Sequence, residues 1–160
     1  MNLLDKKSKF WDCLSDDIKG LLEDGELLVN QAKDIPHKVS DYSYLVFPFS
    51  KAYEGFLKKL FLDLGLIKED EFYGDDIRIG RILNPHFIHE HENVFDKITT
   101  TADDGKDFAE KLWKMWRRGR NKVFHYFPHN FRKLRYKEAV KLVEEVVNVM
   151  EDASRSCYEK

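Results

Sequence analysis

The chain has 160 residues, 42% of them apolar, with twelve Phe, seven Tyr and three Trp, which is enough to bury a core and excludes a disordered chain. Formal net charge is −2, so bulk charge gives no sign of nucleic-acid binding, and two cysteines near opposite ends, Cys13 and Cys157, exclude a disulfide scaffold and a cysteine metal pair. No apolar run is long enough to span a bilayer, and Met1 to Lys7 lacks a signal-peptide layout, so a soluble cytoplasmic protein is expected.

One domain over 1–160 is the simplest organisation, with peripheral N-terminal helices in 1–35 and a core bundle in 41–158. Residues 3–33 read as helix in two pieces. Ser15-Asp16-Asp17 forms a candidate N-cap ahead of Ile18, Leu21, Leu22, Leu27 and Leu28, while Gly20 and Gly25 weaken the second piece. No chemistry is visible there, and both cysteines read as packing residues. Asp34-Ile35-Pro36-His37 is a break.

A helix is then predicted from about Asp41 to Ile67. Leu45, Phe49, Ala52, Phe56, Leu60, Leu64 and Ile67 recur every three or four residues as one apolar stripe. Pro48 either kinks this helix or marks its start. The opposite face carries Phe47, Lys51, Glu54, Lys58 and Phe61. Ions between aromatics predict a helix covered on both sides, with a second protomer as the simplest cover.

An acidic loop, Lys68 to Asp76, leads to a short helical piece around Ile77 to Leu83 and a segment opened by Asn84-Pro85. His86, His89, His91, Glu90 and Glu92 follow. His-x-x-His-x-His matches no closed four-ligand pattern, so a polar surface helix is expected there and no metal or other cofactor. Thr99 to Gly105 is a loop with a cap. The next helix carries Phe108, Leu112, Trp116, Gly119, Val123 and Phe127 at helical spacing and is predicted to end at Phe127-Pro128. A last helix from about Tyr136 places Ala139, Val143, Val146 and Met150 in a packing seam. Several substantial helices without a convincing strand imply an all-α bundle.

Charge is distributed unevenly. From Lys106 to Lys141 there are twelve Lys+Arg and three Asp+Glu, a balance of 12 − 3 = +9, which leaves −2 − 9 = −11 for the remainder. That asymmetry fits a polyanionic ligand or an acidic protein partner. Its centre is Arg117-Arg118-Gly119-Arg120-Asn121-Lys122-Val123-Phe124-His125-Tyr126. At ~100° per residue, His125 points ~150° from the centre of the apolar stripe, and Asn121 shares its face. Arg120 lies ~140° round the axis from His125. One straight helix therefore does not aim both side chains at one phosphate, unless it bends at Gly119 or two copies of the helix line one cleft.

The chemistry that fits this set is RNA cleavage without a metal. The substrate 2′-hydroxyl is the nucleophile, so no Ser or Cys is required. Histidine as a residue type transfers protons near neutrality. Arginine offers a fixed cation and a fork of donors to a phosphorane-like transition state. Arg117, Arg118 and Lys122 are expected to bind flanking phosphates.

Arg120-Asn121-x-x-x-His125 resembles the Arg-x(4–6)-His signature of HEPN domains, which are all-α and dimeric and include many metal-independent endoribonucleases of toxin–antitoxin, CRISPR-linked and antiphage systems. The stretch Pro48-Phe49-Ser50-Lys51-Ala52-Tyr53-Glu54-Gly55-Phe56-Leu57 together with that element resembles the catalytic domain of RNase LS/RnlA-type toxins over roughly residues 41–150. The resemblance implies a HEPN-like bundle of four to five helices and cleavage to 2′,3′-cyclic phosphate and 5′-hydroxyl ends. It also implies catalytic roles for Glu54 and Lys51 beside Arg120, Asn121 and His125, a homodimer, and an antitoxin or regulatory protein as a partner. Lys51 departs from the arginine expected in that family, and so loses the fork geometry. A catalytically inactive module that binds RNA or protein is the alternative. A tyrosine that is modified in some HEPN toxins falls two residues after the histidine, where this chain has Phe127.

Overall fold

The computed structural model describes residues 2–35, 39–88, 93–101 and 103–158, with the backbone alone for 156–158. Among the described residues all regular elements are helical, as the sequence predicts. None of these helices is long and apolar enough to cross a membrane.

The first two helices are α1 (Lys9–Cys13) and α2 (Asp16–Lys33). Ser8 caps α1 by accepting from the Trp11 N–H at 3.2 Å. Ser15 takes the N-cap position of α2 without a side-chain bond, leaving Asp16 and Asp17 to complement the helix dipole. α2 buries Ile18, Leu22, Gly25, Val29 and Ala32, a stripe at spacings of four and three. Leu22 and Val29 are fully buried against the common core, so α2 is a layer of the core and not a peripheral helix. Gly25 is the point of closest approach, because a Cβ there would lie 2.4 Å from the Phe49 ring. Cys13, expected to pack, is exposed.

Asp41 caps a 3₁₀ turn, Tyr42–Val46, that runs directly into α3 (Phe47–Asp63). Pro48 therefore marks the start of the α-helix, where its missing N–H costs nothing. The predicted stripe is buried from Leu45 to Leu60 and again at Ile67, but Leu64 is exposed because the helix ends at Asp63. A second apolar row, Val46, Tyr53, Leu57 and Phe61, is also buried. Phe61, expected on an outward face awaiting a second protomer, is fully buried within its own chain. Phe47 is the exposed aromatic of that face.

α4 (Glu69–Tyr73) forms in the acidic loop, where the Glu71 carboxylate accepts from the Lys68 N–H at 2.7 Å. α5 (Ile79–Ile82) and a 3₁₀ turn at Pro85–Phe87 follow. His86 is exposed; His89, Glu90, His91 and Glu92 lie outside the described residues. Among the described residues no three His, Cys, Asp or Glu side chains come together as a metal site would require. α6 (Val94–Thr101) packs on α7 (Gly105–Trp116). The last described helix is α9 (Tyr136–Tyr158), preceded by the three-residue α8 (Lys122–Phe124). Ala139, Val143, Val146 and Met150 of α9 are all fully buried, and the helix packs against α3, α7 and the 3₁₀ turn before α3.

Candidate active site

The helix that carries the basic cluster does not run straight. After Trp116 it widens into a single π turn, Arg117–Asn121, in which the Lys122 N–H reaches back to the Arg117 carbonyl. It then makes the short α8 and stops. The expected helix through Phe127 is therefore shorter by three residues, and His125 is already extended, at φ −90° and ψ 130°. The helical-wheel angle predicted for His125 does not apply, for two reasons. The wide turn resets the rotation, and the chain leaves the helix at the histidine, ahead of Phe127, which is held extended before Pro128.

Three contacts fasten this segment to α3, with the two running in opposite senses. Phe47 meets Phe124 edge-to-face, centroids 5.9 Å apart. The buried Ser50 hydroxyl donates to the Gly119 carbonyl. The Glu54 carboxylate takes the Arg120 guanidinium. Deeper in the core the Tyr53 hydroxyl donates to the Leu112 carbonyl at 2.9 Å, extending the same line along α7. Gly119 is buried within the π turn, where a Cβ would lie 3.2 Å from both Met115 and Val146. The absence of a side chain lets the turn press on α7 and α9 while its carbonyl faces α3.

Arg120 is held from two directions. Glu54 grips it, and its guanidinium carbon sits 4.8 Å from the centre of the Trp116 ring, a cation–π arrangement over a buried indole. The pair lies at the edge of the core, with Glu54 partly buried and Arg120 reaching solvent. A cation held by a carboxylate and a ring needs little reorganisation to meet charge developing on a phosphate. Lys51 lies on α3 between Ser50 and Glu54, is exposed, and makes no ion pair among the described residues. Asn121 closes the π turn, partly buried, with no side-chain hydrogen bond among those residues. His125 is exposed and likewise unengaged.

Of the remaining cations, Arg118 and Lys122 line one groove. Arg117 and Lys122 are exposed. Arg118 turns to α9, where the Glu145 carboxylate lies 2.6 Å away as an ion pair without hydrogen-bond alignment. The structure thus brings Arg120 to Glu54 with Lys51 one turn away, and sends Arg118 to the other side.

The loop after His125 is pinned from the start of the α3 segment. Asp41 accepts from the Ser43 hydroxyl at 2.6 Å, from Asn130 Nδ2 at 2.9 Å and from the Leu134 N–H at 3.1 Å. The Tyr42 N–H returns a bond to the Leu134 carbonyl at 2.9 Å. Two consecutive residues of the loop, His129 and Asn130, have positive φ of 59° and 48°, a conformation that needs such support. Partial burial pushes the Asp41 carboxyl up, but the bonds from Ser43, Asn130 and Leu134 outweigh it and hold the group below its ordinary range.

Sequence reasoning missed Ser50, Trp116 in its contact with Arg120, and the Phe47–Phe124 pair. Ser50 had a readable signal, because it continues the row Val46, Tyr53 and Leu57 at spacings of four, three and four. A polar residue in such a row is buried and must find a partner.

In comparisons with known proteins, the model of the RnaseLS-like HEPN family matches residues 27–127 of the chain. No curated protein and no solved structure gives a match. The matched range runs from within α2 to just past His125, and so includes Lys51, Glu54, Arg120 and Asn121.

Proposed function

The chain belongs to the RnaseLS-like HEPN family, and from that premise we propose that it is a metal-independent endoribonuclease acting in a toxin–antitoxin or antiphage setting. The observation that carries the reading is Arg120, pinned between Glu54 and the Trp116 ring, with the exposed and unengaged His125 five residues further on. In the proposed reaction the 2′-oxygen of the substrate attacks the adjacent phosphorus and the bond to the 5′-oxygen breaks. This leaves 2′,3′-cyclic phosphate and 5′-hydroxyl ends. His125 takes the proton from the attacking hydroxyl or gives one to the leaving oxygen, and solvent water exchanges the other. Arg120 stabilises the added negative charge on the phosphorus oxygens. Glu54 orients Arg120, Lys51 supplies a second cation one turn earlier on α3, and Asn121 offers amide donors beside the phosphate. Arg117, Arg118 and Lys122 neutralise flanking phosphates.

We read the active form as a homodimer, in which a second copy completes the cleft. The exposed Phe47 and Phe124 beside the site support this, since a wet aromatic pair is unusual away from an interface. An antitoxin or regulatory protein would act by covering the same face.

Lys51 favours a second reading, a catalytically inactive module that binds RNA or protein, because a lysine lacks the fork expected there. Substitution separates the two. Lys51→Arg cuts RNA as well as wild type or better if Lys51 serves as a cation at the phosphate, whereas neither protein cuts in an inactive module. The direct experiment incubates the purified chain with RNA in EDTA and analyses the product ends. Cleavage to cyclic phosphate supports the reading. A folded chain that shifts RNA on a gel and never cuts it returns the chain to the binding class.

A further inference from the structure

We propose that the groove between α9 and the 122–134 segment binds single-stranded RNA beside the cleavage site, holding phosphates on its lysines and a base on the rim formed by Phe131 and Arg132. The proposal rests on the endoribonuclease reading and extends it from Arg118 and Lys122 to Phe131, Arg132, Lys133 and Lys141, which that reading does not use.

The groove holds about 470 Å³ and is lined by five cations, Arg118, Lys122, Arg132, Lys133 and Lys141. Two carboxylates, Glu138 and Glu145, also line it. Both are already engaged: Glu145 lies 2.6 Å from Arg118, and Glu138 takes Arg135 at 2.7 Å and its N–H at 2.8 Å. Among the described residues Lys122, Lys133 and Lys141 therefore have no carboxylate partner. The lining sums to 5 − 2 = +3 in a chain whose net charge is −2. Cations gathered on one groove repel one another until an anion covers them, and a polyanion covers several at once.

The rim argues for a single strand. The Arg132 guanidinium carbon lies 3.7 Å from the Phe127 ring centre and 5.4 Å from that of Phe131, and the two rings are 5.5 Å apart. Phe131 is 65% exposed. A flat guanidinium layered on a ring, next to an exposed ring, is a stacking surface for unpaired bases, which a duplex hides and an acidic peptide lacks. The π turn sends Arg120 toward α3 and Arg118 toward the groove, so one turn joins the two faces. Arg132, Lys133 and Lys141 lie beyond residue 127, outside the range matched by the family.

The test uses the full chain carrying His125→Ala, so that bound RNA stays intact, and follows the fluorescence anisotropy of a labelled single-stranded oligoribonucleotide across a salt series. Adding Lys133→Ala and Lys141→Ala, both at exposed positions, is expected to weaken binding about tenfold or more. It is also expected to reduce the salt slope by about 1.4, two contacts at ~0.7 each. Phe131→Ala is expected to weaken single-stranded RNA and leave duplex RNA unchanged. Unaltered affinity and slope in the double lysine variant would overturn the proposal, as would competition by polyglutamate equal to that by RNA. A cleavage arm, with His125 restored, separates this proposal from its premise. Failure of the wild-type chain to cut removes the nuclease reading, while the anisotropy result still decides the groove. Wild-type cutting with an unchanged KM in the lysine variant removes the groove alone.

Discussion

The Ser50 hydroxyl donates to the carbonyl of Gly119, sixty-nine positions later, and so ties α3 to the π turn that carries Arg120. Ser50 is buried, so Ser50→Ala leaves that carbonyl without its hydroxyl donor. The expected stability cost is about 1–3 kcal/mol, read by urea unfolding. Because the turn sets the place of Arg120, kcat for RNA cleavage should fall by up to about 100-fold with KM little changed. A loss of stability without any loss of kcat would show that the tie is structural only.

Glu54 and Arg120 separate differently. Their ion pair is partly solvated, so Glu54→Gln should cost no more than about 1 kcal/mol in thermal or urea unfolding. Cleavage should fall far more, on the order of 100-fold, since Arg120 loses the group that aims it. Arg120→Lys should do the same, because an ammonium does not reproduce the fork. Activity that follows stability one for one in these variants would argue against an oriented arginine.

Asp41 links pH to the loop behind His125. Its carboxyl is held below the ordinary range, so the unfolded chain binds the proton more readily than the folded one. The stability it confers is present above about pH 4 and is lost as pH falls through the lowered folded value. Asp41→Asn should therefore be less stable than wild type at pH 7, and the gap should close on acidification below about pH 4. Melting curves at several pH values check this. A gap that widens on acidification would contradict it.

Gly25→Ala tests the packing of α2 on α3. The added methyl meets the Phe49 ring at 2.4 Å, and overpacking of this kind costs about 1–3 kcal/mol. The helix-propensity gain of about 1 kcal/mol from losing a glycine offsets part of that. A net fall in the urea midpoint is expected, with cleavage by the folded fraction unchanged.

Much of the fold was legible because apolar periodicity survives in a single sequence. The seam Ala139, Val143, Val146 and Met150 is buried as the spacing requires, and Pro48 stands at the start of a helix as its chemistry requires. The spacing of Lys51 and Glu54 put both on one outward face of α3, and the structure sets Glu54 against Arg120. The π turn was not legible. One residue inserted into a hydrogen-bond ladder leaves no compositional mark, yet it changes the direction of every later side chain. The extended backbone at His125 was hidden for a related reason, since Val123 and Phe127 keep helical spacing whether or not the helix continues. Phe61 was misplaced because α3 buries two rows of side chains, and one stripe was assumed.

The most direct test of the central claim compares wild type with His125→Ala for cleavage of RNA in EDTA, with circular dichroism and sedimentation to establish equal folding and assembly. His125 is exposed and makes no side-chain bond among the described residues, so its loss should leave stability unchanged. The account predicts cutting to 2′,3′-cyclic phosphate ends by wild type and none by the variant. Equal cutting by the two proteins would contradict it.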